Sequence, residues 1–221
     1  MRFLKQLFDN NRKWAEKVRE KDPSFFQRLS GQQSPQYLWI GCSDSRVPAN
    51  QIVGLLPGEM FVHRNVANLV PHGDLNCMSV LQFAVDVLKV KHVIVCGHYG
   101  CAGIRAVERG EELGLVDDWL LPVRKIRKLQ GKRLAGMAGE TERVDRLCEL
   151  NVIEQSESVC RAEIVRAAWK RGQELAVHGW IYALEDGLLR DLNVTQAGGF
   201  ETESGDGAGH QGARSHRISP S

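Results

Sequence analysis

The chain has 221 residues, of which 43% are hydrophobic and 25% are charged, as is typical of a soluble globular protein. Its 29 Lys and Arg residues outnumber its 27 Asp and Glu residues by two, which gives no net field that favours nucleic acid as a partner. Its uninterrupted apolar runs are far shorter than a membrane span. The length fits one large α/β domain or two small ones.

Residues 1–30 form a predicted helical arm at the N-terminus. Phe3, Leu4, Leu7 and Phe8 recur near helical spacing, which predicts an amphipathic helix whose apolar side covers the same domain or a partner subunit. Charged residues interrupt this segment, so it is not a signal peptide. We therefore expect a cytoplasmic protein.

The chain has six cysteines, and in a reducing compartment these are expected to be buried thiols or metal ligands rather than disulfides. Four of them lie within apolar helix or strand patterns and are predicted to be core residues: Cys77, Cys96, Cys148 and Cys160. Cys42 and Cys101 remain as candidates for chemistry.

Strands and helices alternate after a break at residues 32–35. Apolar runs predict strands at 37–41, 60–64, 92–96 and 175–182. Helical periodicity predicts helices at 76–89, soon after Cys101, at 115–134 and at 142–171. This alternation predicts an α/β fold in one domain over 1–197, with a parallel-rich central sheet and helices on both faces.

The composition changes near the C-terminus. Residues 198–221 contain six glycines, several serines and almost no large apolar side chains. Such a segment buries too little surface to offset the entropy lost on ordering, so we predict a flexible tail with no catalytic part.

Two short strings, each directly after a predicted strand, indicate the chemistry. They are Cys42-Ser43-Asp44-Ser45-Arg46 and His98-Tyr99-Gly100-Cys101. Because ligands bind at the carboxyl ends of parallel strands, we expect two thiols and one imidazole to meet at one edge of the sheet. Either string alone would be a weak signal. Together they favour zinc, since three protein ligands with one open position are typical of catalytic zinc and four are typical of structural zinc.

The two strings resemble the signature of the β-class carbonic anhydrases. The resemblance spans about residues 1–195 and includes Pro57-Gly58-Glu59, the segment from Phe61 to Asn68, and His178-Gly179-Trp180. It implies one zinc ion per subunit, held by Cys42, His98 and Cys101, and the reversible hydration of carbon dioxide to bicarbonate. It also implies a homodimer or homotetramer of the bacterial type.

The proposed zinc ligands predict how the rate depends on pH. Hydration of carbon dioxide needs a hydroxide near neutral pH, which zinc supplies by lowering the pKa of a bound water. Two thiolates would cancel the charge of the metal, so this water should be a weaker acid than at a site with three histidines. We therefore expect activity to rise as the pH increases above neutral.

Asp44 follows Cys42 by two residues and is the candidate catalytic carboxylate. It either accepts a hydrogen bond from the water at the zinc or binds the zinc itself and closes the site. Arg46 can hold a carboxylate in a bidentate contact, so we assign it the role of keeping Asp44 off the metal. The resemblance implies both states, open and capped, and hence allosteric switching by pH and bicarbonate.

The resemblance also implies a substrate pocket that is mostly apolar with one donor, in part from a second subunit. Its residues would be Gln33, Phe61, Val66, Phe83 and Ala102. Phe83 replaces a tyrosine that is frequent in the family. Ala102 replaces a frequent glycine, and a positive φ at this position would be strained. Plain packing in the core is the alternative interpretation of Phe61, Val66 and Phe83.

A second, non-catalytic pocket for bicarbonate occurs in one sub-group of the family, and this chain resembles that sub-group. The pocket residues would be Trp39, Gly41, Val47, Arg64 and Tyr182. An indole N–H, a guanidinium and a phenol supply donors for a small oxyanion. The alternative is a structural arginine packed among aromatic side chains.

Three other functions are compatible with parts of the pattern. A related zinc hydrolase could act on another small heterocumulene such as carbon disulfide. A thiol redox or metal-sensing protein could use Cys42 and Cys101, but Asp44 and Arg46 would then have no role and no Cys-x-x-Cys is present. A non-catalytic scaffold would be expected to have lost a ligand, and none is lost.

Overall fold

The computed structural model describes residues 3–31 and 34–199, so Gln33 and residues 200–221 of the predicted tail lie outside the described residues. The N-terminal arm consists of two helices, α1 (Lys5–Lys21) and α2 (Phe25–Gly31). Asp22 separates them with an extended backbone, and its carboxylate accepts a hydrogen bond from the Ser24 N–H. The expected helical arm is therefore present, with a break that Asp22 and Pro23 encode.

The central sheet confirms the predicted α/β class. Its strands are β1 (Tyr37–Cys42), β2 (Met60–Asn65), β3 (His92–His98), β4 (Leu175–Tyr182), β5 (Leu189–Asp191) and β6 (Gln196–Gly198). The order is β2-β1-β3-β4-β5, with β6 also paired to β4. The first four strands are mutually parallel, whereas β5 and β6 run antiparallel to β4. Gly198, at which the predicted tail begins, ends β6 and pairs with Leu175.

The helices predicted at 76–89 and after Cys101 are present, whereas the stretches predicted over 115–134 and 142–171 are each divided into shorter helices. The helices after the arm are α3 (Ala49–Ile52), α4 (Leu75–Gln82), α5 (Ala102–Arg109), α6 (Leu115–Trp119), α7 (Leu121–Leu129), α8 (Gly131–Ala135), α9 (Glu140–Arg161) and α10 (Glu163–Lys170). A π-type turn, Phe83–Val87, extends α4. The helix predicted over 142–171 is interrupted at Ala162, whose ψ of 134° ends α9. None of the described helices is both long and apolar enough to cross a bilayer.

The two faces of the sheet are covered unequally. Leu38, Ile40 and Val93 pack in one core cluster with residues of α4, α9 and α10. On the other face, Trp39 and Tyr182 form a smaller cluster that includes Ala49 of the short helix α3. A third cluster, built largely from α5, α7 and α9, surrounds the carboxyl ends of β1 and β3. This third cluster encloses the place where the two sequence strings meet.

Candidate metal centre

The ends of β1 and β3 bring the two strings together. Cys42 is the last residue of β1 and His98 is the last residue of β3. These strands are parallel neighbours, with Gly41 opposite Cys96. Gly100 then turns the chain with a φ of 68°, which a glycine adopts without strain, and Cys101 precedes the first turn of α5. The sheet register therefore places all three candidate ligands at one edge.

Cys42, His98 and Cys101 have the geometry and chemistry of a metal site. Their ligand atoms all lie within 4.8 Å of one another, and the two Sγ atoms are 3.7 Å apart. All three side chains are buried. In the described part of the chain, His98 Nε2 is a buried nitrogen without a hydrogen-bond partner. A buried imidazole nitrogen that faces two thiols fits zinc, whose preferred protein ligands are cysteine sulfur and histidine nitrogen.

Hydrogen bonds prepare Cys42 to be a thiolate. Its Sγ accepts the Asp44 N–H at 3.4 Å and the Ala67 N–H at 3.3 Å. The contact with Cys101, aided by these two N–H groups, lowers the pKa of Cys42 against the opposing effect of burial, while the same contact and burial raise the pKa of Cys101. Opposite pKa shifts of this kind are expected for two thiols that share one proton. A divalent cation would favour the deprotonated form of both thiols.

The other four cysteines are buried, free thiols, as predicted from their apolar patterns. Burial raises the pKa of Cys77, Cys148 and Cys160 to about 12 each, and it also raises the pKa of Cys96. Such thiols are inert at neutral pH. The cysteines therefore divide into a potential ligand pair and a core set.

Asp44 and Arg46 lie beside the ligands, and their contact differs from the expected bidentate contact. The shortest distance, from Arg46 Nε to Asp44 Oδ1, is 3.5 Å, which is longer than an ordinary hydrogen bond. Asp44 Oδ2 is buried without a partner among the described residues. Arg46 has a φ of 60°, in the left-handed region that non-glycine residues rarely occupy. The backbone of Arg46 is therefore strained, and its side chain contacts the Asp44 carboxylate only weakly.

The predicted substrate residues fall into two groups. Val66 and Ala102 each directly adjoin a residue of the centre, namely Ala67 and Cys101. Ala102 is the first residue of α5 and has no positive φ, so the expected strain does not arise there.

Phe61 and Phe83 belong to the second group, and their rings contact each other with centroids 5.8 Å apart. Phe61 lies opposite Leu38, four residues before Cys42, which corresponds to roughly 13 Å along the strand. The described subunit therefore does not bring these two rings to its own ligands.

The residues of the predicted bicarbonate pocket come from β1, β2, β4 and the loop after β1. Arg64 donates to the carbonyl oxygens of Cys42 and Val47, at 3.1 and 2.7 Å, and also to Ser45. A surface depression of about 380 Å³ is lined by Arg64 and Val47. Trp39 and Tyr182 belong to the core cluster on that face of the sheet, and Val47 packs against this cluster. A Cβ at Gly41 would come within 2.6 Å of Trp39 Nε1, so only glycine fits there.

Sequence reasoning missed the contribution of Ala67 and Tyr99. The N–H of Ala67 bonds Cys42, although nothing in the sequence marks an alanine as a donor to a ligand. The carbonyl of Tyr99 accepts the hydrogen of His98 Nδ1 at 3.0 Å, while its phenol donates to Glu149 at 2.8 Å. Backbone groups carry no side-chain signature, so only the folded structure could identify them.

A parallel-rich sheet with a three-ligand Cys and His centre at its carboxyl edge is the architecture of an α/β metalloenzyme. The carbonic anhydrase family profile matches residues 37–189. A carbonic anhydrase of Emericella nidulans is 48% identical over 197 residues, covering 87% of this chain and 86% of the relative. The chain belongs to the carbonic anhydrase family, in its β class, as the two sequence strings predicted.

Solved structures agree with this assignment. The Coccomyxa β-carbonic anhydrase, in complex with acetazolamide, superposes with a TM-score of 0.83 at 42% identity, over 90% of each chain. A tetrameric β-carbonic anhydrase from Sordaria macrospora gives a TM-score of 0.82 at 38% identity, over 87% of this chain and 98% of that one. The predicted sub-group with a second bicarbonate pocket, and the bacterial type, stay predictions.

Proposed function

We propose that this protein catalyses the reversible hydration of carbon dioxide to bicarbonate and a proton, with one zinc ion held by Cys42, His98 and Cys101. The observation that carries the proposal is the meeting of two thiols and one imidazole within 4.8 Å at the carboxyl edge of the sheet. When bound, zinc would supply a hydroxide near neutral pH. Named relatives at 48% and 40% identity are carbonic anhydrases, which supports the same reaction here.

Asp44 would orient the attacking water. Its N–H donates to Cys42 Sγ, which fixes the backbone of Asp44 beside the ligand, and its buried Oδ2 has no partner in the described chain. A carboxylate in this position can accept a hydrogen bond from water, or it can turn and become a fourth ligand. Arg46 would keep it in the first position through its contact with Oδ1. The loose contact favours a carboxylate that is able to change position.

The same loop supports the proposed switching by bicarbonate. Arg64 donates to the carbonyls at both ends of the loop that carries Asp44 and Arg46, namely Cys42 and Val47. A bicarbonate ion that takes these guanidinium hydrogens would free the loop, since one N–H cannot serve both acceptors well. Asp44 would then be released to cap the zinc. Trp39 and Tyr182 would supply the remaining donors.

The apolar arm supports a homodimer or homotetramer. No residue of α1 is buried, and the exposed apolar side chains of the arm are Leu7, Phe8 and Trp14 in α1 together with Phe3 and Leu4 just before it. An exposed apolar surface of this kind marks an interaction site. The Sordaria macrospora relative is described as tetrameric. A neighbouring subunit would cover this arm. The Phe61 and Phe83 of that neighbour would then approach the metal centre, which the same two residues of its own subunit do not reach. We also infer a reducing, cytoplasmic location, which six free thiols support.

Two measurements on the purified protein test the proposed function together. Elemental analysis is expected to find one zinc per subunit, and stopped-flow assays are expected to show carbon dioxide hydration that increases between pH 6 and pH 9. A protein that binds zinc but hydrates carbon disulfide instead would favour the related hydrolase. Protein without zinc would remove the basis of the proposal, and a flat rate over this pH range would contradict the predicted weak acidity.

A further inference from the structure

We propose that Asn151 and Gln155 of α9 are positioning residues for the metal centre: they hold the turn over residues 66–70 so that the Ala67 N–H donates to Cys42 Sγ. The inference rests on the proposed zinc site, because Cys42 is one of its ligands. It assigns a function to two buried amides that lie outside the ligand set and outside both predicted pockets.

The hydrogen bond to Cys42 is where the turn reaches the metal centre. Ala67 N lies 3.3 Å from Cys42 Sγ, and both residues are buried. A hydrogen bond to an anionic sulfur withdraws electron density from it, so the thiolate donates less charge to its metal. Groups that bond metal ligands in this way orient them and set the properties of the metal. The position of this one N–H therefore affects the electrophilicity of the centre.

The turn that presents this N–H is strained. Ala67 has a φ of 64° and Asn68 a φ of 48°, so two consecutive non-glycine residues occupy the left-handed region. A conformation of this kind persists only where the surrounding structure imposes it, and it occurs most often at functional sites. Some part of the neighbouring structure must therefore hold the turn in place. Asn65 bonds the N–H and the carbonyl of Leu69 and so holds part of the turn.

Asn151 and Gln155 provide the restraint that comes from α9. Asn151 Nδ2 donates to the Ala67 carbonyl at 2.8 Å, and Gln155 Oε1 accepts the Val70 N–H at 2.9 Å. The two side chains are joined to each other, with Gln155 Nε2 donating to Asn151 Oδ1 at 3.1 Å. The amides thus bond the strained residue and the far end of the turn from one face of α9.

The bonding partners fix the orientation of both amides. The Val70 N–H can only donate, so Gln155 must present its oxygen there and its NH₂ group to Asn151. Asn151 must then accept with its oxygen, which leaves its NH₂ group for the Ala67 carbonyl. Reversing either amide would place two donors or two acceptors together. Asn151 is 0% and Gln155 3% exposed, so water cannot relieve such a mismatch.

The test compares Asn151→Leu with Ser156→Ala. Leucine has the same branched side-chain skeleton as Asn151, although it is larger, and it removes the donor to Ala67, which relieves one restraint on the strained turn. Ser156 is also buried on α9, but its hydroxyl donates to Val152 O within the helix, so its variant controls for the loss of a buried hydrogen bond.

Zinc affinity and the spectrum of the Co²⁺-substituted protein are the readouts. Asn151→Leu is expected to bind zinc about tenfold more weakly in chelator competition, as is typical when the partner of a metal ligand is lost. Its thiolate-to-Co²⁺ charge-transfer band is expected to shift to lower energy, because a sulfur without its hydrogen bond releases an electron more readily. Ser156→Ala should match the unmodified protein in both measurements.

The double variant Asn151→Leu, Ala67→Gly separates positioning from simple packing. Glycine adopts a positive φ without strain, so the turn should remain in place without its restraint and the band should return. If Asn151→Leu does not fold, Gln155→Met gives the same test. Asn151 is then kept, but without the donor from Gln155 its amide can flip and lose its hydrogen bond to the Ala67 carbonyl. If a folded Asn151→Leu variant keeps the zinc affinity and the Co²⁺ spectrum of the unmodified protein, the positioning role is wrong, while the proposed function is unaffected. If the unmodified protein contains no zinc, the proposed function itself is wrong.

Discussion

His98 Nδ1 lies 3.0 Å from the carbonyl oxygen of Tyr99, and this contact determines which ring nitrogen can bind a metal. A carbonyl accepts only, so Nδ1 carries the hydrogen and Nε2 keeps its lone pair. The Tyr99 backbone is itself held, because its N–H donates to the Tyr182 carbonyl at 3.0 Å. The imidazole is thereby fixed in the tautomer that a zinc ligand needs.

The first prediction concerns this ligand set. We expect Cys101→Ala to lose zinc and to lower kcat/KM by more than about 100-fold, beyond the effect of changing an outer partner of the metal. Cys77→Ala is the matched control, since Cys77 is an equally buried thiol on α4 whose pKa burial raises to about 12. Zinc analysis and stopped-flow assays on both variants decide the question. Full zinc in Cys101→Ala would contradict the assignment.

The second prediction separates the two features of Arg46, its guanidinium and its φ of 60°. Arg46→Ala and Arg46→Gly both remove the contact with Asp44 and should lose hydration activity to the same degree. The free energy of unfolding of Arg46→Gly should exceed that of Arg46→Ala by about 1 kcal/mol, because glycine adopts this backbone conformation without strain. Urea denaturation measures the difference. Wild-type activity in either variant would mean that Asp44 needs no restraint.

The third prediction tests the bicarbonate pocket through Trp39. Trp39→Phe keeps an aromatic ring in the core but removes the indole N–H, so inhibition by bicarbonate should weaken about tenfold, the value of one hydrogen bond to an anion. Trp180→Phe is the control, because that indole packs edge-on against Trp39 with ring centroids 6.5 Å apart. Zinc content should be unchanged in both variants. If bicarbonate inhibits Trp39→Phe and Trp180→Phe equally, Trp39 is a core residue and not part of a bicarbonate pocket.

The fourth prediction concerns the buried carboxylate of Glu108, which joins three helices. Arg127 Nε and Arg143 Nε contact its two oxygens at 2.8 and 2.7 Å. Burial raises the pKa of Glu108, but hydrogen bonds and charge from Arg143 and Arg127 outweigh it, so the pKa lies below its ordinary value. The stability that this ion network contributes is therefore complete above the unfolded pKa of about 4.3 and is lost as the pH falls through the folded pKa.

Glu108→Gln should consequently reduce the free energy of unfolding by about 2 kcal/mol at pH 7. The difference from the unmodified protein should shrink below pH 4. The control is Glu140→Gln, whose pair with Arg109 is about half exposed and should contribute less than about 1 kcal/mol. Denaturation at several pH values measures both, and a pH-independent difference for Glu108→Gln would refute the ionic explanation.

The fifth prediction addresses assembly through the arm. Leu7→Glu places a charge on the exposed apolar side of α1 and should shift the protein towards smaller species. Gln6→Glu introduces the same side chain one position away, where Gln6 bonds Asn10 on the polar side of the helix. Light scattering over a dilution series gives the mass of each variant. Identical masses would show that the arm does not carry the assembly.

The sequence predicted the parts of the fold that depend on hydrophobic pattern. The apolar runs at 37–41 and 92–96 became β1 and β3, and the strings that follow them met because parallel strands end at the same edge. Strands β5 and β6 were missed, since three-residue strands with polar residues carry too little pattern. The interruption at Ala162 was also missed, because alanine favours a helix and nothing in the sequence marks its extended backbone.

The details of the site were less predictable. Nothing in the sequence indicates that Ala67, Asn68 and Arg46 have positive φ, because such backbone conformations in non-glycine residues depend on the surrounding structure. Conversely, the strain expected at Ala102 is absent, since Gly100 makes the turn two residues earlier. Residue identity thus predicted the donor atoms of the centre, whereas their support required the three-dimensional structure.

The pairing of β1 with β3 also has a consequence for how the protein acquires its metal. The two thiols are 59 positions apart in the chain, and the crossover between them must be completed before β3 can join β1. Bringing such distant segments together costs conformational entropy of loop closure, and local contacts formed early in folding do not offset this cost. A nascent chain that has not yet reached His98 offers an ion only one of the three ligands. Metal uptake should therefore follow formation of the sheet, and loading with metal would report that the crossover is complete.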